Sequence, residues 1–370
     1  MASRRSARFL GEDRFLIIGL GSTLVFLIWG EKLLAHFSQS VWLVGVFAWL
    51  FFSIMGSALA VVRHADHLAA QVGEPFGTLI LTLSVTSIEV IAISTAMLHG
   101  QDDPALARDT IFSVVMIIMN GMIGLSLLLG GLKHSEQSYN LQGANTYLGV
   151  IIPLTVLSLV LPDYTTTTSG PTLSHLQEAL LIFIALGLYG AFLAIQTGRH
   201  RSYFTDEAVA ARHPLEQHST RHLMFHIALL AINMVAVVIL SEWLGEPVDY
   251  MIDTLHVPSS LGGLSIAVLV AMPEAVGAVK AARANKLQRS VNIFLGSVLS
   301  TISLTIPAML IISRATGHNI ALGLEHTDLV LLLLTLAVSM ITFGSGRTNV
   351  LQGLVHLLLF VAYLTLLFEA

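Results

Sequence analysis

The sequence predicts an all-α membrane protein of eleven transmembrane helices, one N-terminal helix followed by two inverted five-helix repeats. Three observations carry that expectation. Of the 370 residues, 55% are hydrophobic and only 11% charged, against about 25% charged in a soluble domain. Apolar runs close to the roughly 20 residues a helix needs to cross the hydrocarbon recur eleven times along the chain. The basic residues between those runs fall almost wholly on one side.

The runs cover 15–30, 41–62, 75–98, 109–130, 145–161, 175–196, 223–244, 257–281, 289–313, 326–343 and 348–367. The first is the shortest and is expected to extend at both ends. No small-residue cleavage site follows it, so it reads as a retained helix and not as a signal peptide. With the N-terminus inside, the inner loops and tail hold fifteen Lys and Arg, among them Arg4, Arg5, Arg63, Lys133, Arg283 and Arg347, whereas the outer loops hold Lys32, Arg108 and Arg314. That excess follows the positive-inside rule, and one missed helix would scramble it. The expected placement is a multi-pass protein of the cell inner membrane, N-terminus cytoplasmic and C-terminus periplasmic.

The expected division is a tail and first helix over 1–40, a first repeat over 41–196, a polar cytoplasmic linker over 197–222 and a second repeat over 223–370. The linker carries His200, His213, His218 and His222. Histidine titrates near neutral pH, so a pH-sensing segment is the alternative to a plain solvated connection. Cysteine is absent, which removes disulfides and thiolate metal sites. Lys280, Arg283, Lys286 and Arg289 join two helices at the inner face; they fix topology and do not point to nucleic acid.

Most acidic residues sit between the runs, but Glu89 and Glu274 lie well inside the third and eighth. A charge at mid-bilayer costs about 2.5–3.5 kcal/mol on insertion scales, so such a group is a functional candidate by default. The two contexts match. Glu89 lies twelve positions after Gly77, and Glu274 twelve after Gly262. Each acidic helix precedes one rich in small and polar groups, with Ser113 and Asn120 in the first case and Asn292, Gly296, Ser297, Ser300, Thr301 and Ser303 in the second. The two acidic helices are five apart, an odd number, so they cross in opposite senses, as in an inverted repeat with its site near the midplane.

Pro273, directly before Glu274, frees a carbonyl about four residues back, near Leu269. Irregular backbone at membrane depth is tolerated where it is buried in protein or lines a wet cavity. Hard cations take oxygen ligands from carboxylates, carbonyls and waters. The expected supply is Glu89, Glu274, the hydroxyls of Thr86, Ser87, Ser300 and Thr301, the Asn120 amide and backbone carbonyls. Carboxyls kept from water hold protons firmly, so a cation and protons would compete for the same oxygens. The expected activity is therefore cation/proton exchange by alternating access. No cofactor is implied, and the expected partners are inorganic cations, protons and the lipid bilayer.

The segments GEPFGTLILTLSVTSIEV (73–90) and VAMPEAVGAVKAARANKLQRSVNIFLGSVLST (270–301) resemble the two alpha-repeat motifs of the calcium/cation antiporter superfamily, most closely its calcium/proton exchanger branch. The resemblance spans nearly the whole chain. It implies antiport of Ca2+, with Na+ or K+ as further substrates, and makes Glu89 and Glu274 the ion-binding acids. Gly296 to Thr301 looks like the family's small-polar segment, and Asn120 falls where the first repeat often carries an amide. The family commonly has asparagine three residues before each acid; here those positions are Thr86 and Ala271. A monovalent Na+(K+)/H+ antiporter is the alternative within the class.

A rival of another class rests on Gly344-Ser345-Gly346 with His356 in the last helix, the parts of an intramembrane serine hydrolase. Gly-Ser-Gly between apolar runs is also what a tight loop looks like. His226 and His356 read as packing residues of their helices. Glu178 and Glu242 read as interfacial. Asp102, Asp103, Asp109, Glu246, Asp249 and Asp253 read as acidic outer loops.

Overall fold

The computed structural model describes residues 14–35, 40–72, 76–99, 103–168, 170–204 and 220–369. Among the described residues eleven long helical segments follow one another: α1 (Arg14–Leu34), α2 (Ser40–Val72), α3 (Phe76–His99), α4 (Leu106–His134), α5 (Leu141–Tyr164), α6 (His175–Thr197), α7 (Thr220–Leu255), α8 (Ser260–Arg283), α9 (Leu287–Thr316), α10 (His326–Thr342) and α11 (Val350–Glu369). Each matches one apolar run of the sequence. All but α10 are long and apolar enough to cross a membrane. At 17 residues, α10 spans about 26 Å, close to the hydrocarbon thickness. The protein is an all-α membrane protein.

Three helices widen into a π-turn: α4 at Ile117–Met122, α5 at Val156–Val160 and α9 at Thr301–Thr305. Proline accounts for the one in α9. Pro307 has no N–H for the Ser303 carbonyl, and its ring crowds that carbonyl, so a wider turn relieves the clash. In α5, Pro153 lies just before the turn. No proline lies in α4, where a side-chain network centred on Asn120 occupies the turn instead.

Several helices run past the apolar stretch that signals them. α2 continues ten residues, from the expected end at 62 to Val72, and takes Arg63 into the helix. α7 continues to Leu255 with Pro247 inside. Glu242, Glu246, Asp249 and Asp253, read as outer loop and helix end, therefore belong to α7. Asp109 lies in the first turn of α4. The physical reason is that hydropathy marks where lipid ends, whereas a helix ends where its hydrogen-bond ladder stops, and Glu, Met and Leu support it further. Of the linker, a 3₁₀ turn at Arg201–Tyr203 is described; His213 and His218 lie outside the described residues.

The chain forms two compact units that cut across the order of the sequence. The first comprises Met1–Asp103 and Leu215–Gly262, the second Pro104–Pro214 and Gly263–Ala370. In the first, α7 lies along α2, and both α1 and α3 pack on this pair. Polar contacts replace water between these helices: Trp49 Nε1 donates to Ser22 Oγ at 2.8 Å, and Ser22 and Ser53 hydroxyls are 2.9 Å apart. Phe26 meets Trp49 edge-on at 5.3 Å. Gly30 admits the Trp243 ring, which would lie 2.6 Å from any Cβ there.

In the second unit α4 and α11 cross on glycines. A Cβ on Gly353 would lie 2.6 Å from the Leu128 backbone nitrogen, the close backbone approach typical of small residues at membrane helix crossings. Its loops sort onto two faces. On one, β1 (Gln137–Ser138) pairs antiparallel with β2 (Arg347–Thr348), Gln137 donates to the Ala282 carbonyl at 2.8 Å, and Asn140 N donates to Gln288 at 2.6 Å. The α4–α5, α8–α9 and α10–α11 connections thus meet. On the other, Ala321 N donates to the Pro104 carbonyl and Leu322 N to the Pro171 carbonyl, which joins the α3–α4, α5–α6 and α9–α10 connections. Lys133, Arg283 and Arg347 are on the first face; Arg108 and Arg314 belong to the second. An even number of helices separates the members of each group, as the eleven-helix parity requires.

Candidate functional site

In the first unit the candidate residues lie on α3. Glu89 is 2% exposed, and Thr86, one turn before it on the same helix face, is 5% exposed. The Thr86 hydroxyl has no hydrogen-bond partner among the described residues. Ser87 points elsewhere on the helix and donates back to the Leu83 carbonyl at 2.6 Å. Ser84 and Ser94 bond the carbonyls of Ile80 and Val90 in the same way. Such back-bonding satisfies a hydroxyl inside its own helix, so Thr86 differs from its neighbours in keeping its oxygen available.

In the second unit Glu274 lies on α8, half-buried, with Ala271 one turn before it and 1% exposed. Pro273 is accommodated inside the helix. Two contacts set where α8 stands. Gly263 lies against α4, where a Cβ would come within 2.8 Å of the Thr110 nitrogen. Ser290 of α9 donates to the Ala278 carbonyl at 2.6 Å. Ser300 and Thr301 of α9 are buried, with Thr301 opening the π-turn. Ser300 donates to the Ser297 carbonyl at 2.8 Å, while the buried Ser303 hydroxyl has no partner among the described residues.

Asn120 is wholly buried in the π-turn of α4. Its Nδ2 donates to Thr335 Oγ1 at 2.8 Å, and its Oδ1 lies 3.2 Å from His356 Nδ1, which must be the donor. His356 Nε2 then accepts from Thr342 Oγ1 at 3.0 Å. The amide thus sits at the centre of a relay joining α4, α10 and α11, and every polar position in it is matched. Sequence reasoning missed this network, because the residues span 236 positions. Polar residues inside each of three apolar runs were the available signal.

The hydrolase pairing is not formed. Ser345 donates to the Arg347 carbonyl at 2.7 Å inside its own loop, and both His356 nitrogens serve Asn120 and Thr342. The cations of the second face are also engaged. Buried Arg108 bonds Asp109 at 2.7 Å and the Gly323 carbonyl at 3.0 Å, and Arg314 lies 3.6 Å from Glu178. No group of three or more His, Asp or Glu suited to hold a metal occurs among the described residues.

A family profile described as "Sodium/calcium exchanger protein" matches residues 42–198 and again 225–369. The protein y4hA of Sinorhizobium fredii (strain NBRC 101917 / NGR234) is 44% identical over 314 residues, 85% of this chain and 86% of its own length. The sodium-potassium/proton antiporter ChaA of Escherichia coli (strain K12) is 38% identical over 361 residues, 96% of each chain. Among solved structures, native YfkE matches with a TM-score of 0.75 at 20% identity, covering 96% of this chain and 100% of its own. The H+/Ca2+ exchanger CAX matches at 0.70 and 14% identity, covering 95% and 87%. The fold is that of these proteins.

Proposed function

We propose that this chain, which belongs to the sodium/calcium exchanger protein family, is an inner-membrane antiporter that exports a cation in exchange for protons, with Glu89 and Glu274 as the acids that trade one for the other. The carrying observation is that the two acids occupy the same place in the two stretches that match the family. Each stretch contains five helices, α2–α6 and α7–α11. Each acid lies on the second helix of its stretch, and the third helix, α4 or α9, is opened by a π-turn. Isolated π-turns are frequent at functional sites. Five helices per stretch is an odd number, so the stretches run through the membrane in opposite senses, the arrangement of inverted-repeat transporters.

The chemistry follows from a carboxyl held away from water. Its charged form is costly there, so an acid without a cation keeps its proton, and an arriving cation displaces it. Export of cation and uptake of protons are then one competition for the same oxygens. The N-terminus is cytoplasmic in this reading, because the basic connections share one face. Calcium suits an all-oxygen ligand set. A second reading, monovalent Na+ or K+ exchange, is favoured by the 38% identity to the Escherichia coli relative named for those ions. The test uses proteoliposomes with an imposed pH gradient, to which calcium, sodium and potassium are added in turn while the interior pH is followed. At least one ion collapses the gradient with the wild type. Silence with all three ions would sink the reading.

A further inference from the structure

A groove of about 510 Å³ runs along α2 beside α1 in the first unit. Small residues of α2, Gly45, Ala48 and Gly56, line it together with Phe52 and Leu59 of the same helix and Ile18 of α1. Both helices are long and apolar enough to cross a membrane, and Ile18 and Phe52 are exposed, so the groove opens at hydrocarbon depth. One of its two helices, α1, lies outside the stretches that match the family profile, the first of which begins at residue 42.

Two properties of the groove restrict what can fill it. It is dry. The polar groups that reach it, Trp49 and Ser53, are engaged by Ser22 of α1: Trp49 Nε1 donates to Ser22 Oγ at 2.8 Å, and the Ser22 and Ser53 hydroxyls are 2.9 Å apart. An apolar space whose polar groups are already paired does not hold water. It is also narrow. From Gly45 to Leu59 the helix rises about 21 Å, so 510 Å³ corresponds to a mean cross-section of about 24 Å². A helix about 10 Å across needs about 80 Å², which excludes a helix of a second copy lying in the groove. A chain of methylenes, whose carbons touch their neighbours at about 4 Å, fits.

A third property, charge at one end, selects among apolar chains. Positions 45, 48, 52, 56 and 59 recur at intervals of three and four, which is one face of a helix, and the next member of the series is Arg63. Arg63 is half-buried and directly follows the apolar run that ends at 62, so it stands at headgroup level. Its Cα–Cβ bond leans toward the helix N-terminus, back toward Leu59. α1 runs the opposite way, since Gly19 lies against Ser57 and Ser22 against Ser53. Its first residue, Arg14, is therefore level with Arg63 to within about a turn. Asp66 and His67 are exposed one turn beyond Arg63, and the sequence before α1 holds Arg4, Arg5 and Arg8 against Glu12 and Asp13. A guanidinium has five N–H donors, so a contact within the protein does not exhaust Arg63. Basic groups where a membrane helix leaves the hydrocarbon attract anionic headgroups.

We propose that this groove binds one anionic glycerophospholipid, with an acyl chain laid along α2 from Leu59 toward Gly45 and the phosphate at Arg63. The site rests on the membrane fold alone and stands whether or not the chain exchanges cations for protons.

The test is native mass spectrometry of the full chain in detergent, titrated with phosphatidylglycerol or with phosphatidylcholine of the same acyl chains. The expected result is one lipid retained per chain above the statistical background, with phosphatidylglycerol preferred about five-fold, the effect of one basic residue at a membrane surface. Arg63→Gln should abolish the preference. Gly45→Phe places a ring where a Cβ meets nothing within 4 Å, and should abolish retention of both lipids. Equal retention of the two lipids by the wild type overturns the proposal, as does a preference that survives Arg63→Gln or a retained lipid that survives Gly45→Phe. A dimer that Gly45→Phe dissociates would assign the groove to a second copy and overturn it equally. The wild-type ratio decides even if a variant misfolds.

Discussion

The two acidic helices carry their polar groups in different ways. α3 keeps its polarity in the same helix as the acid: Thr86 stands one turn before Glu89 with a buried, unpartnered hydroxyl among the described residues, and three serines are satisfied by their own backbone. α8 is bare by comparison. Ala271 takes the place of Thr86, and Pro273 removes a backbone donor instead. The oxygens missing from α8 are found on the next helix, where Ser300, Thr301 and Ser303 cluster at a π-turn. Two halves of one family pattern can therefore place side-chain oxygen on the acid's own helix or on its successor, and a motif read position by position will undervalue the second.

The largest effect should come from the acids themselves. Glu89→Gln and Glu274→Gln are each expected to bring cation-driven proton flux down to the level of empty liposomes. Neither should lower the thermal midpoint of the purified protein, because a neutral amide is cheaper than a charge at that depth. Full exchange by either variant would break the equivalence of the two helices.

Next in size is His356→Leu, which leaves Asn120 and Thr342 without their buried partner. The expected loss is about 2–3 kcal/mol of stability, read as a lower melting temperature in detergent. An unchanged melting point would mean that the α4 π-turn does not lean on this relay.

A smaller pair of substitutions sharpens the comparison directly. Thr86→Val removes one hydroxyl worth about 1 kcal/mol, so the half-saturating cation concentration should rise about five-fold with the maximal rate kept. Ala271→Thr gives α8 the group that α3 has, and should lower that concentration by a similar factor. Equal half-saturation in all three proteins would show that the residue before the acid plays no part in ion binding. Ser345→Ala should change neither exchange nor stability beyond about 0.5 kcal/mol, as expected of an exposed loop residue.

The eleven helices and their alternation were legible because the signal is local. Twenty apolar residues announce a crossing wherever they occur, and Lys133, Arg283 and Arg347 mark a face without reference to any partner. Glu89 and Glu274 stood out for the same reason, each as an acid inside an apolar run. The ends of α2 and α7 were not legible, since Arg63 and Glu246 look like loop residues although both are helical.

By itself the sequence determined the membrane class and the number of helices, and it singled out two acids inside apolar runs, all properties of a residue and its near neighbours. Tertiary structure alone decided which polar groups meet. His226 read as a packing residue until the fold set it 3.0 Å from His64, 162 positions away. Asn120 read as a candidate ligand amide, and the fold closes His356 and Thr335 around it. A hydrogen bond needs its partner within about 3 Å, and separation along the chain does not fix that distance; only the packing of helices does.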